Sequence, residues 1–327
     1  MSLSQTYRKH THREHILSLP DTYIGGIETT TEELFVVEGE TFKPKSVSGY
    51  NSGFYKLIDE LLVNAHDHSI RLLQRKSENP LKHIDISISD DSKTFTIRND
   101  GDSIDVEKHP EYGVYIPQLI FGELLTSTNY DKDEKKLVGG KNGYGVKLVN
   151  IFAKQLQITI VDAVRHLKYT QTFEDNMTKA GVPVIKTCKT KPFVELAWTP
   201  DFARFQMTQI PDGMIQVIQR RVYDIAMTVG KDVKVTWNGN LIKFRDLSSY
   251  ASWYLPPTNA IVVDSPKEHW TIAVSDSPFD KAFNVSFVNG IWTKSGKHVD
   301  EIVNQVVNHI VNHIETKKKI KVKPSLI

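Results

Sequence analysis

Ser52-Gly53-Phe54-Tyr55-Lys56-Leu57-Ile58-Asp59-Glu60-Leu61-Leu62-Val63-Asn64-Ala65-His66-Asp67-His68-Ser69-Ile70-Arg71-Leu72-Leu73-Gln74-Arg75 is the stretch on which the fold turns. Phe54, Leu57, Ile58, Leu61, Leu62 and Ala65 recur at three- and four-residue steps, which predicts a helix with an apolar core face. Glu60, Asn64, Asp67, His68 and Arg71 recur at the same steps, displaced around the axis. They put a carboxylate, an amide and a guanidinium on one line beside the buried face. An ordinary polar shoulder is the plain reading of such a line. Its groups also suit a metal, a water and a phosphate.

Composition sets few limits. The chain has 327 residues, 39% hydrophobic and 24% charged, enough for two domains with separate cores. A formal net charge of +2 neither demands nor excludes nucleic acid. Cys188 is the single cysteine, so no intramolecular disulfide can form, and a reducing, intracellular setting fits. No apolar run approaches the ~20 residues that span a bilayer. The polar, basic start (Tyr7, Arg8, Lys9, His10) does not read as a signal peptide.

Residues 1–15 read as polar and extended, and His15 to Leu19 as a short helix stopped by Pro20. Residues 28–50 read as a surface hairpin. Beyond the 52–75 helix, Ile84, Ile86 and Ile88 alternate with polar residues, and Phe95 and Ile97 alternate on the return. That second strand runs into Asn99-Asp100-Gly101. A helix is predicted over Ile116 to Leu125, then a polar loop from Thr126 to Leu137, then Gly139 to Gly145 opening a third helix through Phe152. Strands near 156–162, 166–174 and 193–198, a helix near 213–228 and a hairpin at Asn238-Gly239 complete this part. The domain boundary falls before Phe244, giving domains 1–243 and 244–327. The second holds strands near 260–263, 269–274 and 283–288 and a helix near 298–315.

Three pieces carry chemistry when taken together. An amide such as Asn64 can ligate magnesium, which completes its octahedron with waters and phosphates. A carboxylate one turn earlier, Glu60, can deprotonate a water. Asn99 at a strand end can accept from adenine's exocyclic amine. The glycine loop offers free backbone amides to an anion, and Lys141 and Lys147 add positive charge. Each piece alone is weak: the helix edge and the Asn-Asp-Gly turn read more simply as a solvated face and a turn, and the glycine loop reads equally as a plain turn. The loop is not a Walker loop, since no Gly-Lys-Ser/Thr follows at the required spacing.

The order and the residues resemble the GHKL ATPases, and within them the ATPase region of type II DNA topoisomerases of eukaryotes and large DNA viruses. The matching stretches are Glu14-His15-Ile16-Leu17 with Pro20 to Gly25, Asp59 to Ala65, Leu124 to Asp131, Gly139 to Lys147, and Phe287-Val288-Asn289-Gly290 with Gly296 to Asp300. They cover essentially the whole chain. The resemblance implies an α+β fold: a GHKL (Bergerat) α/β sandwich with a mixed or antiparallel sheet and helices on one face, then a partial transducer.

It also implies roles and partners. Glu60 would be the general base for ATP hydrolysis and Asn64 the Mg2+ ligand. Asn99 would bind adenine, and Ser127, Thr128 and Asn129 ribose and phosphates. Gly140, Lys141, Asn142, Gly143, Tyr144, Gly145, Val146 and Lys147 would wrap the triphosphate, with Arg71 near the phosphates. Tyr7 would reach into a partner subunit's site, so that ATP binding and homodimer formation are one event. The family commonly has Asn at His68 and Thr at Ala197, which puts secondary nucleotide contacts in doubt.

The family's Gln-Thr-Lys loop, its cleavage tyrosine and its metal-binding domain have no counterpart in this chain. A fragment is therefore expected, or a separately encoded subunit. Lys317, Lys318 and Lys319, with Lys321 and Lys323, read as a helix end or as non-specific, salt-dependent contacts to duplex DNA. No membrane partner is expected, and the resemblance puts the protein in a nucleus, or in the factory or virion of a DNA virus. The function implied is an ATP-gated clamp for duplex strand passage. The rivals are a kinase of the same superfamily and a non-enzymatic nucleotide-regulated module.

Overall fold

The computed structural model of the protein describes residues 10–124, 143–244, 246–267, 269–279 and 281–324. It begins with a short helix, α1 (His12–Ser18). The Thr11 hydroxyl accepts from the Glu14 amide, and the Glu14 carboxylate accepts from the Thr11 amide. This capping box starts the helix three residues before the apolar run that announces it. Strands β1 (Thr30–Glu38) and β2 (Thr41–Tyr50) form a hairpin. Helix α2 (Ser52–Gln74) follows, capped by Asn51, whose side chain accepts from the Phe54 amide at 2.9 Å.

Strands β3 (His83–Ile88) and β4 (Phe95–Asp100) pair antiparallel as the alternation predicts. Two short helices come next, α3 (Ile116–Gly122) and α4 (Gly145–Ile151). Strands β5 (Ala153–Asp162), β6 (Leu167–Glu174), β7 (Lys179–Ala180), β8 (Val184–Thr187) and β9 (Phe193–Pro200) lead to helix α5 (Asp212–Thr228). Strands β10 (Lys234–Trp237) and β11 (Asn240–Leu241) turn at Asn238 and Gly239, both at positive φ, as the hairpin signal predicts.

These strands make one nine-stranded mixed sheet, in the order β11-β10-β3-β4-β9-β5-β6-β7 with β8 also on β6. Only β10 and β3 run parallel among these pairs. Helix α2 lies on one face. Its Phe54, Leu57, Ile58, Leu61, Leu62 and Ala65 are all buried, in one cluster with Ile84, Ile86, Phe95, Ile97, Leu156 and Trp198 of the strands. Periodicity thus identified both halves of the core.

The β1–β2 hairpin lies at the surface, as the sequence reading has it, but one face is packed: Val36 and Val47 are buried with Val217 of α5, and Phe42 is buried with Tyr250 and Tyr254. Its strands have one apolar face, and α5 covers it.

The remaining elements are small. Helix α6 (Leu247–Ala251) precedes two separate hairpins, β12 (Val262–Asp264) with β13 (Ile272–Val274), and β14 (Ser286–Val288) with β15 (Ile291–Thr293). Helix α7 (Lys297–Lys318) has no fully buried residue. Strands β7, β8 and β15, of two to four residues, have no counterpart in the sequence reading.

Phe54 is fully buried against Trp198 and Phe205. Phe54→Ala should therefore lower unfolding stability by about 3–5 kcal/mol in urea denaturation, the cost of losing a buried aromatic ring.

Candidate active site

The polar edge of α2 is where the site forms. Glu60, Asn64 and His68 are half-buried on successive turns, Asp67 is buried, and Arg71 is exposed. The Glu60 carboxylate faces Gly145, the first residue of α4. A methyl group placed on Gly145 would lie 2.0 Å from Glu60 Oε2. An added Cβ would have to push the carboxylate aside, which the end of a flexible side chain can do. Lys56, one turn before Glu60, pairs with its other oxygen at 2.5 Å. The sequence reading missed Lys56, although its i,i+4 spacing to Glu60 is visible.

On the facing wall, Gly143 adopts φ +66°, which favours glycine. Tyr144 caps α4, and Tyr144, Gly145 and Val146 are half-buried at the loop's end. Lys147 is buried, and its ammonium donates to the Gly143 carbonyl at 3.0 Å. It braces the loop from behind, and burial pushes its pKa down.

The end of β4 closes the third side. Phe95 and Ile97 face α2, so the two-residue alternation puts Asn99 on that face as well. The Asn99 amide donates to the Asp100 carbonyl at 3.1 Å. The Asp100 carboxylate accepts from the Lys82 and His83 amides at 2.7 and 2.8 Å, pinning the strand end. Gly101 sits at φ +92°, and a Cβ there would meet Leu72 of α2 at 2.6 Å. The Asn-Asp-Gly turn is therefore packed directly on α2. His68 ties the same two segments, its Nε2 donating to the Asp102 carbonyl at 2.7 Å.

One sequence reading is corrected by the strand geometry. Leu196 and Trp198 of β9 point into the core beneath α2, so Ala197 between them points to the opposite face of the sheet. It cannot touch anything held beside Glu60 and Asn99.

Tyr7, Ser127, Thr128, Asn129, Gly140, Lys141 and Asn142 lie outside the described residues. Lys317, Lys318 and Lys319 sit exposed at the end of α7, with Lys319 its left-handed cap. Among the described residues, no cluster of three or more His, Cys, Asp or Glu could hold a metal. No described helix is long and apolar enough to cross a membrane.

The geometry is a cradle: a carboxylate and an amide on one wall, a glycine turn on the second, a pinned strand end on the third. A family model described as "Histidine kinase-, DNA gyrase B-, and HSP90-like ATPase" matches residues 49–175, which contain all three walls. The solved ATPase region of Saccharomyces cerevisiae topoisomerase II superposes with a TM-score of 0.88 at 37% identity, covering 99% of this chain and 83% of that one. The chain belongs to the type II DNA topoisomerase family. Its match there is to the ATPase region.

Curated members agree. A DNA topoisomerase 2 of Pisum sativum is 40% identical over 329 residues, covering 97% of this chain and 22% of that protein. One of Acanthamoeba polyphaga mimivirus is 36% identical over 339 residues, covering 100% of this chain and 26% of that protein. The chain thus spans about a quarter or less of these relatives.

Two outcomes follow from the wall contacts of this topoisomerase ATPase region. Gly145→Ala should displace the Glu60 carboxylate and disturb its ion pair with Lys56, read from the side-chain NMR signals of both residues, while circular dichroism and the melting temperature stay near those of the unaltered protein. Burial holds the His68 pKa below its ordinary 6.5, so the unfolded chain binds that proton more readily than the folded one. The stability contributed by neutral His68 is full above about pH 6.5 and declines as pH falls below it. Urea denaturation at descending pH should show this decline, and His68→Gln should flatten it.

Proposed function

We propose that the chain binds ATP with magnesium in this cradle and hydrolyses it, with Glu60 as the general base. The observation that carries the reading is the approach of Glu60 to Gly145. It brings the one half-buried carboxylate of the α2 edge against the end of the glycine segment that would enclose a triphosphate. The donor set fits the metal. Magnesium favours oxygen ligands and keeps waters and phosphates in its shell, so Asn64 suffices as the ligand from α2. The metal supplies charge neutralisation at the phosphates when bound.

In this reading Glu60 takes the proton of the attacking water, and Lys56 orients the carboxylate from the solvent side. Asn99 accepts from adenine at the pinned strand end. Ser127, Thr128 and Asn129 hold ribose and phosphates, Gly140 to Lys147 wrap the triphosphate, and Arg71 adds charge near it. Tyr7 completes the partner's site, making nucleotide binding and homodimer closure one event. Residues 1–243 form the ATP-binding domain and its arm, and residues 244–327 the beginning of a transducer.

Within a full-length topoisomerase the closing dimer would capture duplex DNA for strand passage. Lys317, Lys318 and Lys319 would contact phosphates without sequence preference. The setting is a nucleus, or the factory or virion of a DNA virus.

Changing Glu60→Ala tests the assignment. Phosphate release should fall by roughly 10²–10⁴, the usual worth of general-base help. Calorimetry should show affinity for a non-hydrolysable ATP analogue within a few-fold of the starting protein. Hydrolysis that persisted would refute the role of Glu60.

A further inference from the structure

Asp59 precedes Glu60 on α2 and points to the other side of the helix. Its carboxylate meets Arg221 of α5, Nε to Oδ1 at 2.7 Å, and Arg221 is 1% exposed. The guanidinium is used twice. Its Nη2 donates to the carbonyl of Gly290 at 2.6 Å. Gly290 belongs to the two-residue turn between β14 and β15, where Asn289 and Gly290 both have positive φ. Phe287 of the same hairpin lies 5.9 Å from the guanidinium carbon.

The turn also rests on α2 itself. A Cβ on Gly290 would meet His66 Nδ1 and Cε1 at 2.5 Å. His66 is 3% exposed. The back of α2 is therefore gripped by a hairpin distant in sequence, between two residues that flank Asn64. Burial opposes the charge on Arg221, but Asp59 beside it prevails and holds its pKa up. The fork geometry of arginine is what allows one side chain to hold both a carboxylate and a carbonyl.

The junction is not fully satisfied. Arg221 Nη1 is buried without a hydrogen-bond partner among the described residues, and His66 Nδ1 reaches only Asp67 Oδ1, at 3.6 Å. A buried polar atom left unpaired is rare in native structures and calls for a reason such as strain or function. A small displacement of the turn would be passed to Asp59, and so to Glu60 one residue on. Reacting groups misplaced by about 1 Å lose on the order of 10²-fold in rate.

We propose that Arg221 is a positioning residue for hydrolysis, linking the Asn289–Gly290 turn to the helix that carries Glu60 and Asn64. Through this link the docking of the turn sets the reach of Glu60, and nucleotide in the cradle alters the docking of the turn in return. The inference rests on the nucleotide site proposed above.

The test compares the unaltered chain with Arg221→Lys, Gly290→Ala and the double variant Gly290→Ala/His66→Ala. Lysine keeps the charge beside Asp59 but cannot also hold Gly290. Arg221→Lys should lower kcat about tenfold or more, the penalty of a displaced group. Its affinity for a non-hydrolysable ATP analogue should fall about fivefold, because coupling between turn and nucleotide is reciprocal, and its melting temperature should stay near that of the starting protein. Gly290→Ala should lower kcat alike, with some loss of stability because Gly290 has positive φ, and removing the His66 ring should recover part of the loss in kcat. Hydrogen exchange gives a readout independent of turnover. The analogue should change protection at residues 289–291 in the unaltered chain and not in Arg221→Lys. Variants with unchanged kcat and unchanged exchange would overturn the link alone. A chain that bound no nucleotide would overturn the proposed site and the link together.

Discussion

Helix α2 is enclosed on three sides, and that enclosure sets the position of the candidate site groups it carries. One face packs on the sheet through Phe54, Leu57, Ile58 and Leu61. The back is held by Arg221 through Asp59 and by the Gly290 turn through His66. The polar edge meets Gly145. Its start is equally tight, since a Cβ on Gly53 would lie 2.9 Å from the Gly26 carbonyl. Close-packed interiors have little room for adjustment, so a helix held this way presents its side chains in one register.

Two kinds of contact supply the hold. Apolar burial against the sheet supplies the bulk of the free energy without direction. The Asp59–Arg221 pair supplies direction. Removing one partner of a buried ion pair typically costs about 3–5 kcal/mol, because the other charge is left stranded. The glycines contribute by what they lack. At Gly101, Gly145 and Gly290 the absent side chain lets a second segment touch α2 or the side chains it carries. Each is a point where the cradle would open if a methyl group were added.

Helix α5 has a matching role between the main sheet and the later elements. Its adjacent arginines point to different partners. Arg221 turns to α2, whereas Arg220 enters an aromatic cluster. Its guanidinium lies 4.3 Å from the Phe42 ring centre and hydrogen-bonds Tyr254, with Tyr250 at 2.8 Å. Tyr250 donates in turn to Asp224 at 2.6 Å. The β1–β2 hairpin supplies Phe42 and so closes over the same helix. Beyond this cluster the elements are held more loosely: two-stranded hairpins and a helix, α7, whose apolar residues are half-buried or exposed.

The apolar periodicity of α2, the alternation in β3 and β4 and the Asn238-Gly239 turn were legible because they are local. A helix or strand with one buried face must repeat its apolar residues at its own period. The candidacy of Glu60, Asn64 and Asn99 rests on motif order along the chain, which needs no distances. Contacts between distant segments leave no such trace. Nothing in the sequence near Gly145 says that its missing Cβ makes room for Glu60, and nothing near Asp59 names Arg221. The burial of one face of the β1–β2 hairpin and the outward face of Ala197 belong to the same class. They depend on which surface another element covers and on the phase of a strand within its sheet, and only the folded chain decides either.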